Sequence, residues 1–188
     1  MERTDGRTTI VQLRQAKSEQ QQLKFAEAMN NFTCRDKGVE LFLKQKAFEF
    51  ERRNFARTYM LLDVFEALKC NIVISAYFTL SIKVLHFLPI LSKRKVKQID
   101  GFSKDASSVG AVLIGQLGKD SVYGNTISGN TIMTSALEVI YKIFEATACR
   151  IAFLECEPHE KLVKFYESHG FESLQSTSGG LLQMTRIL

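Results

Sequence analysis

The stretch VGAVLIGQLGKDSVYGNTISGNTIMTSALEVIYKIFEATACRIAFLECEPHEKLVKFYESHGF, Val109 to Phe171, decides how this chain folds. Its first part, Val109 to Leu117, predicts an apolar strand carrying Gly110 and Gly115, with Gly118 next. Glycines there mark a bulge or a close backbone approach. A loop rich in Gly, Asn, Ser and Thr follows, Tyr123 to Asn130, and then a helix. Ile132, Ala136, Val139 and Ile143 line one stripe of that helix, with Met133, Leu137, Ile140 and Phe144 beside them. Two adjacent apolar stripes bury about half of a helix against a sheet. Arg150 to Cys156 is a short apolar run suited to a strand covered on both faces. Pro158 opens a last helix in which Leu162, Phe165 and Tyr166 share a face, and Gly170 closes it as a C′ glycine. The order is β, α, β, α, with a candidate anion-binding loop where the first helix begins.

Working upstream, Leu91 to Ser108 is basic and then Gly- and Ser-containing, a surface segment with room for a short helix. Ile72 to Val84 predicts a long strand in which Tyr77, Thr79 and Ser81 alternate with Phe78, Leu80 and Ile82, one face buried and one carrying hydroxyls. Arg57 to Leu62 predicts another strand, with Val64 to Cys70 as its connection. Val39, Leu43, Ala47 and Phe50 line one face of a helix from Lys37, and Asn54 suits its left-handed stop. Thr8 to Leu13 reads as a first strand and Gln15 to Met29 as a polar helix. Downstream, Glu172 to Ser176 and Leu181 to Ile187, joined through Ser178-Gly179-Gly180, form a hairpin. Residues 1–30 read as a segment packed on or trailing from one domain over 31–188.

At 188 residues the chain suffices for one domain with a proper core. The cysteines, Cys34, Cys70, Cys149 and Cys156, lack C-x-x-C spacing, which argues against a disulfide framework or zinc site and for a reducing, cytoplasmic setting. The polar N-terminus has no signal-peptide core. Asn71 to Leu91 is apolar, but Lys83 and His86 interrupt it and β-branched residues dominate, so a buried strand is expected rather than a membrane span. The net charge of +5 allows a polyanionic partner without requiring one. Its informative feature is clustering, at Arg52, Arg53 and Arg57 and at Lys93, Arg94, Lys95 and Lys97.

The loop at the start of the central helix offers unpaired amides and the positive end of the helix dipole, a pairing that suits a pyrophosphate. No G-x-x-x-x-G-K-[ST] or G-x-G-x-x-G occurs. The order of elements narrows the choice. Leu154-Glu155-Cys156, followed by Leu162-Val163-Lys164-Phe165-Tyr166-Glu167-Ser168-His169-Gly170-Phe171, resembles the closing strand and "FYE-x-x-GF" helix of the GNAT acetyltransferases. Phe32-Thr33-Cys34, Leu41-Phe42-Leu43 with Ala47, Arg57-Thr58-Tyr59 and Tyr77-Phe78-Thr79-Leu80-Ser81 are similar to the front half of the branch that holds the toxin acetyltransferases of toxin–antitoxin pairs. The resemblance implies an α/β (α+β) fold: one GNAT-like domain with a central mixed, mostly antiparallel sheet, splayed at the strand before the loop, and helices on both faces.

It also implies acetyl-CoA as the cosubstrate. By position, Leu117, Gly118 and Lys119 would pair with pantetheine, and Gly124, Asn125, Thr126, Ile127, Ser128, Gly129 and Asn130 would hold the pyrophosphate. His159 stands where many members have an Asn near the pantetheine. The usual loop is Gln/Arg-x-x-Gly-x-Gly/Ala. Here Gly129 fills the last position, while Gly124 replaces Gln/Arg and Ile127 replaces the first glycine, so the loop needs another path or a weaker grip. Ala76 replaces a common Gly. Tyr166 would protonate the departing thiolate; a phenol with an ordinary pKa of ~10 lies above a thiol at ~8.5. Without the family, Tyr166 reads first as a core aromatic on the face of Leu162 and Phe165. Glu155 is a candidate base, and an ordered water is the alternative. Cys156 lacks a base partner for a covalent route, and His86 and His169 read as structural.

Three functions follow as expectations. The first is acetylation of a primary amine, the amine of an aminoacyl-tRNA, with the basic clusters contacting RNA. The second is acetylation of a small amine or a protein lysine. The third is a non-catalytic module that no longer holds CoA. The resemblance adds a small antitoxin partner and a homodimer, with no metal and no membrane.

Overall fold

Helices and strands follow the apolar periodicity closely in the computed structural model, which describes residues 2–4, 8–68, 71–123 and 127–188. The chain forms two units, Met1–Ser81 with Gln116–Leu137 and Ile82–Gly115 with Glu138–Leu188. Strands β4 and β5 and helix α6 contribute residues to both.

In the first unit, β1 (Glu2–Thr4) and β2 (Thr8–Gln12) lead into a single 3-10 turn and α1 (Glu19–Asn31). Ser18 and Gln21 form a capping box that satisfies two otherwise orphaned amides at the start of α1. Asp36 caps α2 (Lys37–Gln45) by accepting from the amides of Gly38 and Val39. The helix expected through Phe50 breaks at Lys46 and resumes as α3 (Ala47–Arg52), yet Leu43 and Ala47 stay fully buried. Asn54 takes the expected left-handed turn at φ 58°. Then come β3 (Arg57–Asp63), a short α4 (Val64–Leu68) and β4 (Ile74–His86). Antiparallel ladders join β1 to β2, β2 to β3 and β3 to β4, with Tyr59 opposite Phe78 and Met60 opposite Tyr77.

One expectation is corrected here. The hydroxyl-bearing face of β4 is not open: Tyr77 and Thr79 are buried as deeply as Phe78 and Leu80. Tyr77 belongs to a core with Phe25, Met29, Phe32, Leu43 and Met60, and Phe32 meets it edge-on at 5.5 Å. Its hydroxyl donates to the carbonyl of Val39. Strand β4 is thus covered on both faces over its first seven residues.

The second unit contains α5 (Lys93–Asp100), most of β5 (Ser108–Lys119), the end of α6 (Gly129–Thr147), β6 (Ile151–Cys156), α7 (Glu160–Glu167), β7 (Glu172–Ser176) and β8 (Leu182–Ile187). Its hydrogen-bonded strand order is β4-β5-β6-β8-β7, against β1-β2-β3-β4 in the first unit. β5 and β6 are parallel, and β8 is antiparallel to both β6 and β7. The sheet is therefore mixed and mostly antiparallel, as expected. Leu85, Ile99, Ala111, Ile151 and Phe153 form the core of this unit. Gly170 and Gly180 both adopt positive φ, at the end of α7 and in the β7–β8 turn. Among the described residues, no helix is long and apolar enough to cross a membrane.

Candidate functional site

The parallel ladder between β5 and β6 begins at Val112–Ala152 and ends at Ile114–Leu154, although β5 runs on to Lys119 and β6 to Cys156. Leu117, Gly118 and Lys119 form the last residues of β5, within the first unit. Gly118 is glycine for a steric reason. A Cβ there would stand 2.5 Å from Val39 Cγ1 and 3.3 Å from Cys34 Sγ. The close approach at this glycine is made by Val39, in the first turn of α2, and Cys34, ahead of that helix.

Asp120 follows and organises the chain beyond β5. It is buried to 3% exposure. Its Oδ2 accepts from the Thr33 amide at 2.7 Å, and its Oδ1 from the amides of Val122 and Tyr123 at 2.7 and 2.8 Å. Its own amide donates to Ser75 O at 2.9 Å, and the Ser121 amide to Thr33 O at 2.8 Å. One carboxylate thus ties the entrance of the loop to the Phe32–Cys34 segment. Sequence reasoning passed over it. The available signal was an Asp just past a strand, a residue type that folds the next two amides onto itself.

Gly124, Asn125 and Thr126 lie outside the described residues. Ile127 is buried and is not among the residues with positive φ. Ser128 caps α6, its Oγ accepting from the Thr131 amide at 3.0 Å. The first-turn amides of Gly129 and Asn130 have no acceptor within the helix and stand at its positive end. That donor set fits a pyrophosphate.

Close to the first of these elements, Glu40 accepts from Lys37 Nζ at 2.8 Å, the Cys34 amide at 3.0 Å and Lys44 Nζ at 2.9 Å. These donors, Lys37 first, hold its carboxyl down at about 2.

In the second unit, Tyr166 is half-buried on α7, its ring edge-on to Phe165 at 5.2 Å and to Phe171 at 6.2 Å. Burial, with a smaller contribution from Cys156, pushes its phenol up to about 12. It is a firmly protonated donor at neutral pH. Burial also pushes the Cys156 thiol up, which disfavours the thiolate that a covalent route would need. Glu155 ends a chain of amides: it accepts from Gln183 Nε2 at 2.7 Å, and Gln183 Oε1 accepts from Gln175 Nε2 at 2.7 Å. Gln175 is buried and also grips His86 O and the Leu88 amide. His159 is exposed and caps α7, its Nδ1 accepting from the Lys161 amide at 3.3 Å. His169 Nδ1 lies 2.7 Å from Phe165 O, a structural placement.

The basic residues divide. Arg53 pairs with Glu49 at 2.8 Å, Lys93 with Asp105 at 2.9 Å and Lys95 with Glu172 at 2.6 Å. Arg57 is fixed by Glu51 at 3.2 Å and Asn54 at 2.6 Å. Arg52, Arg94 and Lys97 are exposed and, among the described residues, have no ion-pair partner.

The fold is an α/β fold with a mixed sheet, similar to that of the toxin AtaT and of KacT. AtaT complexed with acetyl-methionyl-tRNAfMet superposes with a TM-score of 0.68 at 23% identity, over 94% of this chain and 93% of its own. A tyrosine-to-phenylalanine mutant of KacT gives 0.70 at 21% identity, over 94% of each chain. AtaTR bound with acetyl-CoA gives 0.68 at 21% identity, over 94% and 92%. No family model and no curated protein matches the sequence.

Proposed function

We propose that the protein is an acetyl-CoA-dependent N-acetyltransferase whose acceptor is the primary amine of an aminoacyl-tRNA. The observation that carries this reading is a fold shared nearly end to end with structures solved with acetyl-CoA and with acetyl-methionyl-tRNA, together with a capped helix start after β5. Leu117 to Lys119 would pair with the pantetheine arm, and the amides of Gly129 and Asn130 would receive the pyrophosphate. The cosubstrate supplies an activated acetyl group. The acceptor nitrogen attacks its carbonyl carbon, a C–N bond forms and the C–S bond breaks. Tyr166 protonates the departing sulfur, for which a phenol pushed up to about 12 is suited, since it is never depleted by ionisation near neutral pH. The amine proton leaves to water or to Glu155, whose carboxylate is oriented by Gln183. Both AtaT and KacT have been solved as tyrosine-to-phenylalanine mutants, which agrees with a working role for one tyrosine in those toxins.

A small DNA-binding antitoxin is part of this proposal. AtaT has been solved with the C-terminus of the antitoxin AtaR, and KacTA with DNA. The reading is tested by calorimetry with acetyl-CoA, followed by release of free CoA thiol with charged tRNA as acceptor. Saturable binding with thiol release supports it. Binding with release only for small amines or protein lysines moves the acceptor, and no binding at millimolar acetyl-CoA leaves a non-catalytic module.

A further inference from the structure

The turn after α5 displays an aromatic ring that the acetyl-transfer reading does not use. Phe102 is 92% exposed. It is not on a loose tail. Asp100 Oδ2 accepts from the amides of Phe102 at 3.1 Å and Ser103 at 2.6 Å, and Ser103 Oγ accepts from the Asp105 amide at 3.1 Å. Gly101 closes α5 in a left-handed conformation, its amide bonded to Lys97 O at 2.9 Å. The Arg150 guanidinium lies against Gly101, where a Cβ would collide with it. The backbone that carries the ring is therefore anchored, with Arg150 packed against the neighbouring Gly101.

Its surroundings are cationic. Five Lys or Arg residues and two Asp residues stand between Lys93 and Asp105. Three of the cations occupy the first turn of α5, where the helix dipole disfavours positive charge, and no acidic residue offsets them there. Salt bridges to Asp105 and Glu172 hold Lys93 and Lys95. Arg94, Lys97 and Lys104 have no ion-pair partner among the described residues. An exposed aromatic ring on an anchored turn, in a segment with unneutralised cations, matches a ligand with negative charge and flat faces, an unpaired nucleotide.

We propose that Phe102 is a stacking platform for an unpaired base of RNA, with Arg94 and Lys97 contacting the adjoining phosphates. This rests on the RNA part of the proposed function and names the residue that grips it. The test uses the full chain, as wild type and as Phe102→Ala, Phe102→Trp and Arg94→Ala, against a fluorescently labelled single-stranded oligoribonucleotide over a salt series. Phe102→Ala should weaken binding about tenfold with its salt dependence unchanged. Arg94→Ala should lower the slope of log affinity against log salt by about 1. Phe102→Trp should keep the affinity and, because the chain has no other tryptophan, give an emission that RNA quenches. Wild-type affinity in Phe102→Ala with unquenched Phe102→Trp overturns the assignment, as does a wild type that binds no RNA. So does a Phe102→Ala chain that keeps its RNA but sheds a co-purifying protein, which would give the ring to a protein partner. Thiol release from acetyl-CoA with a small amine, read on the same variants, should not change. Its absence in the wild type both with a small amine and with charged tRNA would sink the transferase reading instead.

Discussion

Replacing Asp120 by Ala removes the acceptor for three backbone amides at 2.7 to 2.8 Å and for the Thr33 hydroxyl at 3.3 Å. Hydrogen bonds to a charged partner contribute about 1.5–3 kcal/mol each. The three amides are not equal. Val122 and Tyr123 lie on an exposed turn where water can replace the carboxylate, whereas the Thr33 amide faces a carboxylate only 3% exposed. Counting that bond fully and the other two at a fraction gives a loss of about 3–5 kcal/mol, a large share of a total stability of about 5–15 kcal/mol. Asp120→Asn keeps one acceptor oxygen and should lose about half as much. Urea unfolding with an unchanged m value measures both. Calorimetry on the folded Asn variant should show weakened acetyl-CoA binding, because the residue sets where the loop leaves β5. A Phe25→Leu control of comparable destabilisation, away from the loop, should bind acetyl-CoA normally. An Ala variant within 1 kcal/mol of wild type, against the ~3–5 expected, would refute the reasoning.

Further outcomes follow from other contacts. Gly118→Ala should cost about 1–3 kcal/mol by overpacking, and Val39→Ala, which removes the opposing methyl groups, should relieve much of that cost in a double-mutant cycle. Tyr166→Phe should leave folding and acetyl-CoA binding intact and lower kcat about 10²- to 10⁴-fold. Because the folded Tyr166 phenol sits at about 12, above its ordinary 10.0, the native state holds that proton more tightly than the unfolded chain. Its contribution to stability is therefore full below pH 10 and is lost as pH rises towards 12, a decline that Tyr166→Phe should flatten in alkaline unfolding curves. Glu40 behaves oppositely. Its carboxyl at about 2, below the ordinary 4.5, makes its contribution full above pH 4.5 and lost as pH falls towards 2, so Glu40→Gln should flatten the acid limb.

Much of the architecture was legible because it is written in local periods. The two apolar stripes of α6, the run Ile151–Cys156 and the Gly-marked hairpin each carry their own signal, and all three form. What escaped the reading was decided at long range. Alternation along β4 cannot reveal that Phe32 and α2 cover its hydroxyl face. The bond from Asp120 to Thr33 spans 87 residues. Ile127 looked unfit for a loop built on glycine because the reading assumed the loop's backbone path. Its side chain is buried, which the reading had no local signal for. Of the basic residues, Arg57 is held by its turn neighbours Glu51 and Asn54, contacts that clustering alone does not reveal.

The most direct measurement incubates the protein with acetyl-labelled CoA and total aminoacyl-tRNA, then locates the label. The account predicts acetyl groups on the α-amine of the charged tRNA, lost on mild deacylation together with the amino acid and absent with Tyr166→Phe. Label that never enters the RNA fraction, or equal transfer by wild type and Tyr166→Phe, would contradict it.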